Sequence, residues 1–416
     1  MLRGYRDCLK SRSVKSDKRD FRAPERSVCQ YVSLGAQKIA TRRPPERLFK
    51  QSLTMLTLSC LAMTTMAHAQ TTGTAFLPTV KKHHLLTSTV PANGDQNPYA
   101  LVIAPATMGT VQKSDVLVGN FNNGGNLQGT GSTIMDYRPS TGKTTTFAAI
   151  PRNLAGCPGG IGLSTAMTML KSGWVIAGSA PSTDGTTKTL GQGCLIVLDS
   201  SGKVAGTITS PNINDPWGNM AVIDNGGTAT LFISNVGFGI GAPGQPVQNK
   251  ATVLRLSLSL ASGKPTVTNE TVIGSGFGAQ ADSSVFLIGP TGLALGKNGT
   301  LYVSDAIGNR VAAIQDAATR TESAGTGQEI SKAGLLNRPL AMDFAPNGNL
   351  LVVNGLNGQV VEIDPETGKQ TGAMWIDADE AQTPPGSGDL FGIVMQPNGK
   401  GFYYVEDDVN TLVQAQ

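Results

Sequence analysis

Six short apolar runs recur along the chain, and each ends in a small, amide or acidic residue. They are VLVGN ending at Asn120, WVIAG at Gly178, LFISN at Asn235, LYVSD at Asp305, LLVVN at Asn354 and FYYVE at Glu406, spaced 49 to 70 residues apart. Each follows a polar turn, and in four units that turn contains Asn-Gly, at Asn225-Gly226, Asn298-Gly299, Asn347-Gly348 and Asn398-Gly399. Asn-Gly between β-formers marks a hairpin, because both central residues accept positive φ. A second turn follows later in four units, at Gly142-Lys143, Gly202-Lys203, Gly263-Lys264 and Gly368-Lys369. Each unit therefore holds four strands joined by short turns. One such unit cannot bury both of its faces, so neighbours must stack on it. The expected fold is all-β, a six-bladed β-propeller of four-stranded blades. After Glu406 only enough chain remains for one more strand, and 80–90 (VKKHHLLTSTV) is expected to supply the fourth and close the ring.

The charge is unevenly spread. Residues 1–50 hold 14 Lys/Arg against 5 Asp/Glu, 51–69 hold none, and 70–416 hold 19 against 24. The folded part is thus mildly acidic, and a nucleic-acid partner is not expected from the overall basic balance. Arg47 and Lys50 precede an apolar stretch over 53–66 that ends in Ala67-His68-Ala69. A basic flank, an apolar core and an A-x-A end are the parts of a secretory signal peptide. The stretch is short and rich in Ser and Thr for a membrane span. The expected division is a basic extension over 1–46, disordered or not translated, then a signal peptide over 47–69 and a propeller over 70–416. The location that follows is secreted or periplasmic, with no membrane span after cleavage. Of five cysteines only Cys157 and Cys194 fall in the mature part. An even pair in an exported domain points to a disulfide, the alternative being two buried thiols.

The ends of the second strands and the starts of the innermost strands share one face of such a ring. That face should carry Asn120, Asn235, Asp305, Asn354 and Glu406, with Tyr99, Trp217, Thr291, Arg338 and Phe391 opening the inner strands. The long Gly-rich connections 121–132, 180–192 and 236–250 belong to the same face, where binding on a rigid scaffold usually occurs. Tyr99, Asn120, Trp217, Asn235, Arg338, Asn354 and Phe391 are the candidate ligand-binding residues. The three aromatics would form a floor for a sugar or flat ligand, or pack the channel. Oxygens of Asp305, Asn235, Asn354 and Glu406 converging on the channel would suit a hard cation such as calcium. The alternative is that these side chains bind backbone amides in their own turns. Glu406 and Asp305 are the candidate catalytic carboxylates. Like-charge repulsion from Asp407 and Asp408 would raise the pKa of Glu406, unless that cluster is a solvated edge. The mature part has only His83 and His84, both on the closing strand, and no G-x-S-x-G elbow.

The stretches GPTGLALGKNGTLYVSDAIGNRVAAI and NRPLAMDFAPNGNLLVVNGLNGQVVEID resemble NHL repeats. Both have a Pro opening, an Asn-Gly turn, a strand ending in Asp or Asn, and a further strand beginning Arg-Val or Gln-Val. The resemblance implies a six-bladed propeller related to the gluconolactonase and senescence-marker-protein group. It also implies calcium held by Glu, Asn and Asp. In that group the ligands come mostly from Asn-Gly-like inner-strand openings. Here the openings read Trp217-Gly218, Thr291-Gly292, Arg338-Pro339 and Phe391-Gly392. The leading expectation is a monomeric binding scaffold for a protein, glycan or small-molecule ligand. The alternative, which leaves an enzyme open, is a calcium-assisted hydrolase or lactonase.

Overall fold

The computed structural model describes residues 74–416, and the basic extension and signal peptide expected over 1–69 lie outside the described residues. Six antiparallel sheets follow one another along the chain. Blade 1 runs from an innermost strand Gln96–Ile103 through Val116–Asn122 and Thr133–Arg138 to an outer strand Lys143–Ala149. Blade 2 has Leu163–Met169, Val175–Ser179, Cys194–Leu198 and Val204–Ile208. Blades 4 and 5 open with Pro290–Leu295 and Pro339–Phe344 and end with Gln328–Lys332 and Gln370–Trp375. Blade 6 has Leu390–Met395, Phe402–Glu406 and Thr411–Ala415, and its outer strand is the N-terminal His83–Ser88. Those last two strands pair from His83 opposite Ala415 to Ser88 opposite Thr411.

The turn chemistry explains the registers. Gly299 takes φ 83°, between strands paired from Leu295 opposite Leu301. Gly202 takes φ 81°, and a Cβ there would lie 1.8 Å from the Phe147 carbonyl of the next blade. Second and third strands are buried on both faces, as neighbours on both sides require, so Leu350–Asn354 and Cys194–Leu198 read as continuous apolar runs.

Blade 3 departs from the four-strand expectation. Its strands are Ala221–Asp224, Thr228–Asn235, Gln248–Ser259, a 17-residue Thr266–Asp282 and a fifth, Phe286–Ile288. The third strand begins at Gln248, inside the loop expected over 236–250. The Thr266–Asp282 strand runs on through Gly274, Gly276 and Gly278, where a turn would be expected, and its pairing with the third strand shifts register along the way instead of ending. Its end folds over the ring.

Apolar clusters fill the gap between each pair of adjacent blades. Ile134, Phe147 and Met167 pack between blades 1 and 2, and Tyr302, Met342 and Val361 between blades 4 and 5. The N-terminal segment is fixed by Glu362, which is fully buried in the third strand of blade 5. Its carboxylate accepts the Phe76 and Leu77 amides at 2.8 and 2.9 Å and the side-chain amides of Asn347 and Asn349 at 2.8 Å each. Four donors satisfy a buried carboxylate that would otherwise be costly.

Cys157 and Cys194 form a disulfide that joins the blade 1–2 connection to the third strand of blade 2. It closes a loop of 37 residues. In the chain-entropy account that contributes about 3–4 kcal/mol. Replacing both cysteines by Ser is expected to lower the unfolding free energy by that amount in urea, with a steeper slope because the released chain unfolds to a more open state. An unaltered midpoint would refute it. Among the described residues, no helix is long and apolar enough to cross a membrane.

Candidate functional site

The expected face is assembled by hydroxyls that stitch each blade to the next. Ser234 donates to the Thr291 carbonyl at 3.3 Å and Ser304 to the Leu340 carbonyl at 2.6 Å. Each also accepts an inner-strand amide, from Gly218 at 2.9 Å and Gly292 at 2.6 Å. These bonds set the inner strands around the axis.

Rings occupy the axis on this face. Tyr99 stacks on Phe391 with centroids 3.6 Å apart and on Phe121 at 4.5 Å. Trp217 meets Tyr99 edge-on at 6.1 Å and Phe121 at 5.4 Å. Phe286 lies 5.3 Å from Phe121 and 6.3 Å from Trp217. All five are essentially inaccessible to solvent. Blades 1 and 3 are not neighbours in the ring, so a contact between Tyr99 and Trp217 can be made only across the channel. Other contacts cross it too. Asn219 of blade 3 donates to the Met342 carbonyl of blade 5 at 3.3 Å, and Arg338 of blade 5 reaches Asp282 of the blade 3 hairpin at 3.5 Å. Phe286 stands at the tip of that hairpin with φ 69°, and Gln128 of blade 1 ties the tip down by donating to the Ser284 carbonyl at 2.7 Å. The channel mouth is a packed aromatic plug capped by blade 3. No signal for Phe286 was available in the repeat pattern, because it lies in an insertion.

The strand-end asparagines bond mostly to neighbouring connections, and Asp305 and Glu406 bond across their own turns. Asn120 Nδ2 donates to the Thr89 carbonyl at 2.9 Å, and its Oδ1 is buried without a partner. Asn235 Oδ1 accepts the Asn214 amide at 3.1 Å. Asp305 accepts the Gly308 amide and the Arg310 guanidinium, each at 2.9 Å. Asn354 accepts the Asn337 amide and donates to the Leu335 carbonyl, both at 2.9 Å. Glu406 accepts the Thr411 hydroxyl at 3.0 Å. The oxygens expected to hold calcium are thus each engaged by a protein donor, and rings line the axis, an arrangement that does not suit a calcium cage there.

Carboxylates gather elsewhere on the same face, where blade 5 meets blade 6. Ligand-capable oxygens of Asp377, Asp389 and Asp408 lie within 4.8 Å of one another, and the group includes neither Asp305 nor Glu406. Burial, and then repulsion from Asp408, Asp407 and Asp377, pushes Asp389 up to about 8. Burial, offset in part by the Asn97 amide, pushes Asp407 up to about 7. Glu406 also rises to about 7, through burial first and then Asp377 and Asp408. The Glu406–Asp408 run is therefore not a solvated edge, since Asp407 is buried and holds Asn97 Nδ2 at 2.9 Å.

A further carboxylate sits between blades 2 and 3. Asp215 is fully buried, and neither of its side-chain oxygens has a hydrogen-bond partner. Burial raises its pKa well above the ordinary carboxylate range.

No family model and no curated protein matches the sequence. Solved structures share its architecture. A gluconolactonase from Xanthomonas campestris superposes with a TM-score of 0.51 at 13% identity, over 80% of this chain and 88% of that one. Regucalcin from Agrobacterium tumefaciens, a calcium-binding protein, gives 0.46 at 12% identity over 80% and 93%. A streptogramin B lyase gives 0.44 at 11% identity over 80% and 97%. The chain is a six-bladed β-propeller with the fold of the gluconolactonase-like propellers. At 13% identity the fold is what is shared.

Proposed function

We propose that this is an exported, monomeric binding scaffold that engages a protein, glycan or small ligand through the rim of its loop-rich face. The observation that carries this reading is the aromatic plug, which fills the axial space a substrate would need. The surrounding rim is built for contact. Among the described residues, five of the nine large apolar side chains exposed to solvent, Val90, Leu127, Val247, Leu335 and Val409, project from loops of this face. Two of them, Leu127 and Val247, lie in the long connections of blades 1 and 3. The disulfide supports an oxidising compartment.

A photo-cross-linking side chain placed at Leu127 or Val247 is expected to give a discrete adduct in the native compartment. One placed at Met108, in the turn joining the first two strands of blade 1 on the opposite face, should give none. Equal labelling at all three positions would overturn the reading.

A hydrolase is the second reading, and Glu406 favours it. A half-buried carboxylate raised to about 7 is poised as a general base near neutral pH. Turnover of lactones or aryl esters that falls at least a hundredfold in Glu406→Gln would establish the enzyme and displace the scaffold.

A further inference from the structure

The acidic group at the seam of blades 5 and 6 lies off the plugged channel and on a different set of residues from the strand ends. Asp377 follows the outer strand of blade 5. Asp389 immediately precedes the innermost strand of blade 6, and Asp408 lies in the turn after its second strand.

Three positions so far apart in sequence are held together by backbone bonds. The Ile376 and Asp377 amides both donate to the Gly358 carbonyl, at 2.8 and 3.1 Å, and the Gly388 amide donates to the Gly355 carbonyl at 3.1 Å. These bonds pin both ends of the 376–389 loop to blade 5. The Asp407 amide donates to the Asp389 carbonyl at 2.9 Å, which sets the turn bearing Asp408 against Asp389. The carboxylates are therefore placed before any ligand arrives.

Acidic residues on a wet surface need no counter-ion, but two of these are out of the water. Asp389 is 5% exposed and Asp377 8%. Each leaves Oδ2 buried without a hydrogen-bond donor. Asp377 Oδ1 accepts the Asp379 amide at 2.9 Å, and no other side chain neutralises the pair. None of the ion pairs among the described residues involves the group. Buried carboxylates facing one another without a basic partner are unfavourable when ionised, and either a retained proton or a cation between them relieves the cost.

We propose that Asp377, Asp389 and Asp408 bind one calcium ion that clamps blade 5 to blade 6. An all-oxygen donor set suits a hard cation rather than zinc or copper. The three ligand-capable oxygens lie close enough together to share one ion, and calcium accepts an irregular shell completed by water where magnesium demands a near-ideal octahedron. Asp408 is exposed, which leaves one side open for the waters that complete a calcium shell. Asp407 stands outside this group of oxygens, and Asn97 of blade 1 holds its Oδ2. It instead links the clamp to the place where the first and last blades meet.

The test is calorimetric titration of calcium chloride into the full chain after dialysis against EDTA, with parallel thermal melts. The expected result is one ion per chain at sub-millimolar affinity, and a melting temperature raised by several degrees at a hundredfold excess. Asp389→Asn and Asp408→Asn should each weaken binding at least tenfold, while Asp305→Asn should leave it unchanged. Metal-free Asp389→Asn should melt at or above the natural chain, because a repelling charge is removed. If Asp389→Asn fails to fold, Asp408→Asn, at an exposed position, carries the test. Calcium binding within twofold of the natural chain in either folded aspartate variant would overturn the proposal. So would the absence of both heat and melting shift at 10 mM calcium, about tenfold above the weakest natural calcium sites.

Discussion

Asp215→Asn is expected to make the protein more stable than the natural chain at neutral and alkaline pH, with the advantage shrinking to nothing near pH 4. Asp215 sits in the loop before the innermost strand of blade 3, fully buried, with both carboxylate oxygens unpartnered. Its native pKa is raised by burial, while in the unfolded chain it titrates near 4. Below that value both states bind the proton and the group is neutral to stability. As pH rises above it, the unfolded chain releases the proton and the native protein retains it. Stability then falls by about 1.4 kcal/mol per pH unit until the native group ionises. Asparagine has no proton to retain and similar volume, so the variant lacks this slope. Urea unfolding at pH 4, 6 and 8 measures the difference directly. A constant difference across the three would show that Asp215 titrates normally. The neighbourhood has no room for adjustment, since a Cβ at Gly237 would stand 2.0 Å from Asp215 Oδ2.

Trp217→Ala is expected to cost about 3–5 kcal/mol, the range for removing a buried indole. Trp217 touches rings of blade 1 and of the blade 3 cap, so its loss opens a cavity on the axis rather than at a forgiving edge. Trp217→Phe keeps a ring and discards an indole N–H that has no acceptor. It should cost less than about 1.5 kcal/mol. Phe286→Ala removes the other side of the same contact. The double variant with Trp217→Ala should therefore cost less than the sum of the singles by at least about 0.5 kcal/mol. Strict additivity in urea midpoints would mean that the two rings do not share a cavity. The plug also predicts its own functional consequence. An enzyme with an axial site would lose activity in Trp217→Ala through changed pocket shape, whereas a rim binder would lose only stability.

Much of this protein was legible from local patterns. Asn298-Gly299 and Asn347-Gly348 announced hairpins that the structure contains, and the short last unit announced that the outer strand of blade 6 comes from the N-terminus. The Cys157–Cys194 bridge joins the only two cysteines that follow residue 69. Trp217 and Phe391 both pack against Tyr99, and Tyr99 and Trp217 pack against Phe121. Asp305 bonds within its own turn, whereas Asn120, Asn235 and Asn354 reach connections 17 to 31 residues away, which no local pattern indicated. The acidic seam was only half visible. Glu406-Asp407-Asp408 stood out as a charge run, but nothing in it named Asp377 and Asp389, which arrive from a loop with no repeat counterpart.

The sequence by itself determined strands and turns, which rest on residues a few positions apart, where alternation and positive-φ turn residues act directly on the backbone. The blade count followed from recurrence of those local units, and the bridge from there being only two cysteines after residue 69. Tertiary structure alone decided what meets across the ring. The Asn219–Met342 bond spans 123 residues, and the Tyr99–Trp217 contact joins blades that are not neighbours. Those meetings depend on the closure of six blades around an axis and on a blade 3 hairpin long enough to reach over it. No local preference encodes such distances, so the plug, the orphaned Asp215 and the carboxylate seam emerged only once the ring was assembled.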